Sequence, residues 1–163
     1  MTLTKRNGAD DFDFLIGEWS VHHRRLDRRL EQSTNWIEFS GPASARRILG
    51  GLGNIDEIAI NLPTGPYLGA TLRLFNPSTE LWSIYWMDSR NPGLDPPMTG
   101  RFGGSRGLFY GDDMLGARPI RVRFIWTVVS SGACRWEQAF SADEGQSWET
   151  NWTMDFTRVM GPE

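Results

Sequence analysis

The chain has 163 residues, 39% hydrophobic and 23% charged, a size that points to one domain over 1–163 with a real core. A net charge of −3 at pH 7 excludes the basic footprint of a general nucleic-acid binder. No run approaches the roughly 18 apolar residues of a membrane span, and the single Cys134 excludes an internal disulfide.

The opening residues, MTLTKRNGADD, hold no apolar signal core, so a cytoplasmic protein is expected. Lys5 is the only Lys, a composition bias and not a site. A short helix is predicted over 10–16, capped by Asp10 or Asp11, with Phe12, Leu15 and Ile16 on its apolar face. About two turns cannot stand alone, so this helix must pack on something. From there on the pattern has period 2. Strands are predicted over 18–27, 34–49, 54–62, 67–75, 81–88, 99–102, 107–110, 119–129, 133–140 and 148–158. The stretch 88–117 differs, because ten of its thirty residues are Gly or Pro. It holds a short hairpin and is otherwise read as loop, either a lid or a wandering connection.

SADEGQSW, residues 141–148, fits the Asp-box pattern S-x-D-x-G-x-x-W, which recurs in sialidase-like propellers. In that pattern Asp143 accepts backbone N–H groups, Gly145 takes positive φ and Trp148 folds back over the turn. One box in a chain too short for six blades is a turn device, and no catalytic carboxylate pair stands out. A turn centred on Glu144 pairs Phe140 with Trp148, Gln138 with Thr150, Trp136 with Trp152 and, on the opposite face, Glu137 with Asn151.

Even-numbered positions carry the apolar pattern. They include Ile58 and Ile60; Leu68, Ala70, Leu72 and Leu74; Trp82, Ile84 and Trp86; Ile120, Val122, Phe124 and Trp126; and Trp136, Phe140, Trp148, Trp152, Met154 and Phe156. Glu57, Arg73, Arg123, Arg135, Glu137 and Asp155 fall on the other face. A ten-strand sheet with one apolar face rolls up, because closure removes its edges. The expected fold is therefore all-β, an antiparallel up-and-down barrel of about 8–10 strands with a short N-terminal helix.

The run Phe12-Asp13-Phe14-Leu15-Ile16-Gly17-Glu18-Trp19 resembles the short helix and G-x-W opening of lipocalin-like (calycin) barrels, bacterial members of undefined function in particular. The layout resembles them along nearly the whole chain. The resemblance implies that Trp19 packs across the closed end of the barrel. Haem-binding barrels of this kind carry further glycines after G-x-W. Here Ser20, Val21, His22 and His23 stand instead, so no haem, metal or other cofactor is expected.

Three sets of residues are candidates. If Trp19 points inward, so do His23 and Arg25, which would suit an anionic head group; the alternative leaves both at a wet rim. Trp82, Trp86, Trp126, Trp136 and Trp152 form an aromatic wall, read as core or as the lining of a pocket, with Gln138, Asp56 and Asp88 as anchors of the same parity. Glu57, Arg73, Tyr85, Arg123, Glu137 and Asn151 form a polar set that reaches the lumen only if bulges reverse the phase, and is otherwise a solvated ladder. The Gly-rich run 100–107 is not a P-loop, and Cys134 has no nucleophile's partners beside it.

The leading function is non-catalytic binding of a small apolar or amphipathic molecule in the barrel, held by the Trp wall and by His23 and Arg25, with 88–117 over the mouth. The alternative is a cyclase-, isomerase- or lyase-type barrel enzyme using the polar set or His23. A third class is an interaction protein, a homodimer through a barrel edge or an outer patch.

Overall fold

The structure, a computed structural model, describes residues 8–160; the opening residues 1–7, Lys5 among them, lie outside that range. Ten strands follow one another: β1 (Gly17–Leu26), β2 (Trp36–Ile48), β3 (Gly53–Ile60), β4 (Tyr67–Asn76), β5 (Leu81–Asp88), β6 (Met98–Gly103), β7 (Arg106–Leu115), β8 (Arg118–Ser130), β9 (Ala133–Ser141) and β10 (Glu149–Arg158). Each pairs antiparallel with its neighbour in sequence. The ring then closes where β1 meets β10, from Trp19 opposite Arg158 to Arg25 opposite Trp152. The result is a closed up-and-down barrel with no free edge.

The segment 88–117 is more regular than its Gly and Pro content suggests. Gly100, Gly107 and Gly111 are ladder residues of β6 and β7, and only 89–97 is irregular. The N-terminal helix is a single 3-10 turn, Asp13–Leu15, with no side-chain cap. Three residues per turn align Phe12 with Leu15, and both are buried inside the barrel. That alignment, not an Asp cap, shapes the segment.

This segment plugs one end of the barrel. The Phe12 ring meets Trp82 and Phe102 edge-on, each at 4.9 Å. Trp19 lies across the same end, and its Nε1 donates to the Leu15 carbonyl at 2.8 Å. The Arg158 guanidinium covers the Trp19 ring at 4.2 Å and donates to the carbonyls of Phe14, Ile16 and Ser131 at 2.8, 2.7 and 3.0 Å. Gly17 makes room for it. At φ 126° the backbone sits where side chains are strained, and a Cβ there would come within 2.5 Å of an Arg158 nitrogen. The Gly and Trp of G-x-W are thus both fixed by one arginine from the last strand.

The even-inward pattern holds on β3, β5, β8, β9 and most of β10, but β4 is reversed. Its inner residues are Tyr67, Gly69, Thr71, Arg73 and Phe75, while Leu68, Ala70, Leu72 and Leu74 point outward. Register sets this: Ile60 faces Tyr67 and Phe75 faces Trp82, so odd residues of β4 sit opposite even residues on both sides.

The register at the Asp-box also differs from the expected one. Phe140 faces Glu149, Ala139 faces Thr150, Gln138 faces Trp152, Trp136 faces Met154 and Glu137 faces Thr153. Two additions move it. Glu144 and Gly145 both take positive φ in the turn, and Asn151 is the extra residue of a bulge. Trp136 and Trp152 still meet edge-on at 5.4 Å, as diagonal neighbours. The box itself behaves as its sequence implies. Asp143 accepts the Ser147 N–H at 2.8 Å, and the Trp148 Nε1 donates back to the Gly145 carbonyl at 3.1 Å. Hydrogen bonds from Ser147 and Ser141 hold the Asp143 carboxyl down at about 2. Trp148 lands on the outer surface, over Arg123 at 4.6 Å.

Removing the lock at the closed end is costly because three carbonyls lose their donor. Arg158→Met is expected to lower unfolding stability by about 2 to 4 kcal/mol, read as a shifted urea midpoint. A loss below about 0.5 kcal/mol, typical of a surface position, would contradict this role.

Candidate ligand cavity

With one end plugged, the hollow lies toward the other end, where the Asp-box turn also sits. The cavity has a volume of about 430 Å³. That falls within the range of small-molecule sites, roughly 300 to 1,000 Å³. One wall is a chain of edge-to-face rings: Trp86 to Trp152 at 6.2 Å, Trp152 to Trp136 at 5.4 Å, and Trp136 to Phe124 at 5.1 Å. Such pairs contribute about 0.5–1.5 kcal/mol each beyond burial, so the wall is rigid as well as apolar. Gly69 admits the Trp86 ring against β4; a Cβ there would collide with the indole.

Of the residues singled out in the sequence, Arg25, Trp86, Trp126, Trp136, Gln138 and Trp152 line the cavity, as do Asp56 and Asp88. Trp82 and His23 do not. Trp82 is packed into the plug, its Nε1 donating to the Gly8 carbonyl at 3.1 Å. His23 points inward as expected, yet it is fully buried behind the wall. Its ring stacks on Phe39 at 4.5 Å, and its Nδ1 accepts the Trp152 Nε1 hydrogen at 3.1 Å. An Nδ1 that accepts carries no proton, so His23 is neutral here. Burial, then neighbouring His22 and Arg25, push it down to about 4. His23 therefore holds the Trp152 indole and lies outside the cavity lining.

The polar set does not assemble in the lumen. Glu57 is exposed on the outer face, Tyr85 and Glu137 are half-buried there, and Arg123 lies under Trp148. Asn151 is buried at the bulge and accepts from Gln138 Nε2 at 2.9 Å. Arg73 alone of the six lines the cavity, at 3% exposure. It donates to Asp56 at 2.7 Å and to Asn54 at 2.9 Å, and its guanidinium lies 5.2 Å from the Phe12 ring centre and 5.4 Å from that of Trp126. A buried cation so paired ties the cavity wall to the plug. Cys134 is buried on β9, where desolvation raises its thiol to about 12, so it stays protonated.

The open end is charged on two sides. Arg25, Arg29 and Arg90 gather around Tyr67. Arg25 donates to the Tyr67 hydroxyl at 2.9 Å, and Arg90 covers the Tyr67 ring at 3.6 Å. Arg25 also covers Trp152 at 4.6 Å, and Arg29 faces Phe140 at 5.5 Å. Asp88, Asp95, Asp112 and Asp113 also line the cavity. Burial, with Asp113 and Asp88 nearby, raises the Asp95 carboxyl above its usual range. Arg29, Tyr67 and Asp95 escaped the sequence reading because each lies at a strand end or in a turn, where periodicity carries no information. Among the described residues no group of three or more His, Cys, Asp or Glu is arranged to hold a metal ion, and no helix is long and apolar enough to cross a membrane.

No family model matches the sequence, and no curated protein does. Solved structures are similar to it, among them the following two. The S-type phycobiliprotein lyase CPES from Guillardia theta is 8% identical, with a TM-score of 0.60 over 99% of this chain and 100% of that one. The structure of EF1p2_mFAP2b bound to DFHBI is 11% identical, with a TM-score of 0.49 over 93% of this chain and 99% of that one. At 8% identity the likeness to the lyase is one of fold alone.

The neutral state of His23 predicts a pH dependence. The unfolded chain binds a proton near pH 6.5 that the fold refuses until about pH 4. Stability is therefore full above pH 6.5 and falls as pH drops through that window, by about 3 kcal/mol at most. Asp11 and Asp95, raised in the fold, act with the opposite sign above 3.8. The His23 share is thus read as the difference between wild type and His23→Leu in urea midpoints at pH 7 and pH 4.5. Identical slopes for the two proteins would refute it.

Proposed function

We propose that this chain is a non-catalytic binding protein of lipocalin-like, calycin type, acting as one barrel domain over 1–163 and taking a small, largely apolar molecule into its cavity. The observation that carries this reading is the half-filled barrel: the plug closes one end, and a hollow of about 430 Å³ remains behind a wall of tryptophans. Trp86, Trp126, Trp136 and Trp152 supply the apolar contact, and Arg25 with Gln138 supplies polar contact. The segment 89–97 borders the mouth through Asn91, Asp95 and Pro96. A cytoplasmic setting goes with this reading, since Cys134 calls for no oxidising compartment.

The test uses a neutral aromatic probe, phenylnaphthylamine, titrated against the purified protein. One-to-one saturable binding with quenching of Trp fluorescence is expected. Gly69→Ala, which forces the Trp86 ring off β4 and into the hollow, should weaken binding roughly tenfold, or about 1.4 kcal/mol. Failure of the wild type to bind this probe, together with no small molecule released on organic extraction, would end the reading.

A further inference from the structure

We infer that Arg25, Arg29 and Tyr67 form a seat for an acid group, so that the ligand is an apolar organic acid with its carboxylate or other oxyanion at the mouth. The inference rests on the cavity reading above and names the ligand's chemistry.

Four arginines line the cavity: Arg25, Arg29, Arg73 and Arg90. Two have their counter-charge, Arg73 with Asp56 at 2.7 Å and Arg90 with Asp88 at 3.2 Å. Arg25 and Arg29 have no carboxylate within 4.0 Å among the described residues. They face the Trp152 and Phe140 rings, which positions each cation and leaves N–H groups unspent. A guanidinium has five such donors. Tyr67 adds another. Its oxygen accepts from Arg25 at 2.9 Å, and its own hydrogen has no acceptor among the described residues. Two guanidinium forks and a hydroxyl that neighbour one another in the cavity lining suit an oxyanion, which accepts several short charge-assisted hydrogen bonds.

Electrostatics points the same way. Burial, and then the neighbouring Arg25, lower the Arg29 pKa, with Tyr67 opposing them and Arg90 adding to the effect. Two like charges held together at a partly dry site are costly unless an anion joins them. Asp95 and Asp113, also at the mouth, repel an anion, so the acid group is turned to the arginine side. The apolar body then lies against Trp86, Trp136 and Trp152.

The test compares two probes with the same rings: neutral phenylnaphthylamine and anionic anilinonaphthalenesulfonate. The sulfonate should bind the wild type roughly ten- to a hundredfold tighter. Arg25→Gln and Arg29→Gln should each remove most of that preference, read as the ratio of the two probes' affinities within each variant, with near-UV circular dichroism confirming the fold. Naphthoate or naphthyl phosphate should displace the sulfonate, telling a carboxylate ligand from a phosphate one. Displacement by neither overturns the seat. Equal affinity for the two probes overturns it too, while leaving the cavity reading intact. Binding of neither probe overturns both. A sulfonate preference that survives in the double variant puts the anion elsewhere and refutes the assignment.

Discussion

The interaction on which the rest of the molecule depends is the lock between Arg158, Trp19 and the carbonyls of Phe14 and Ile16. A ring of ten strands has an interior that must be either filled or left hollow. The lock holds the Phe12–Leu15 segment inside one end, so filling is concentrated there. Phe12, Trp82, Phe102, Phe109 and Trp126 then pack as one aromatic body. The remaining volume is displaced to the other end. The cavity is thus a consequence of where the chain's first segment is anchored, and the anchor is supplied by its last strand.

The barrel treats its arginines in three ways, and the contrast carries functional meaning. Arg158 spends its donors on backbone carbonyls and its face on Trp19. Arg73 spends its donors on Asp56 and Asn54. Both are held by structural partners, although the buried Nε of Arg73 has none. At the mouth the surroundings are incomplete: Arg25 and Arg29 keep donors in hand beside an apolar wall. A protein selected only for stability has no reason to hold two unpaired cations together at the edge of a hollow. Binding sites do, because the missing partner arrives with the ligand.

Much of this was legible in the sequence. Period-2 alternation located all ten strands, since each has a buried and an exposed face. The Asp-box carried its local geometry with it, because hydrogen bonds within eight residues do not depend on distant packing. Phase was harder. Leu68, Leu72 and Leu74 mimic a core face, yet the inner face of β4 holds Gly69 and Arg73, one yielding space to Trp86 and the other tied to the plug. Both causes lie on other strands or in the N-terminal segment, so no window on β4 could reveal them. The bulge at Asn151 was hidden for the same reason, and together with the longer turn it moves Trp152 from Trp136 to Gln138.

His23 points inward as expected, yet it does not line the cavity. Phe39 and Trp152 enclose it before it reaches the hollow. Its neutral ring accepts the only hydrogen-bonding hydrogen Trp152 has. Trp152 in turn carries the Arg25 guanidinium on its face. A path therefore runs from a buried imidazole, through one indole, to the cation at the mouth. Protonating His23 would take away the acceptor that fixes Trp152 and place a charge at a fully buried position. The same residue that keeps the barrel's wall in register thus sets the position of the group best placed to meet an acid, which ties the stability of the core to the geometry of the site.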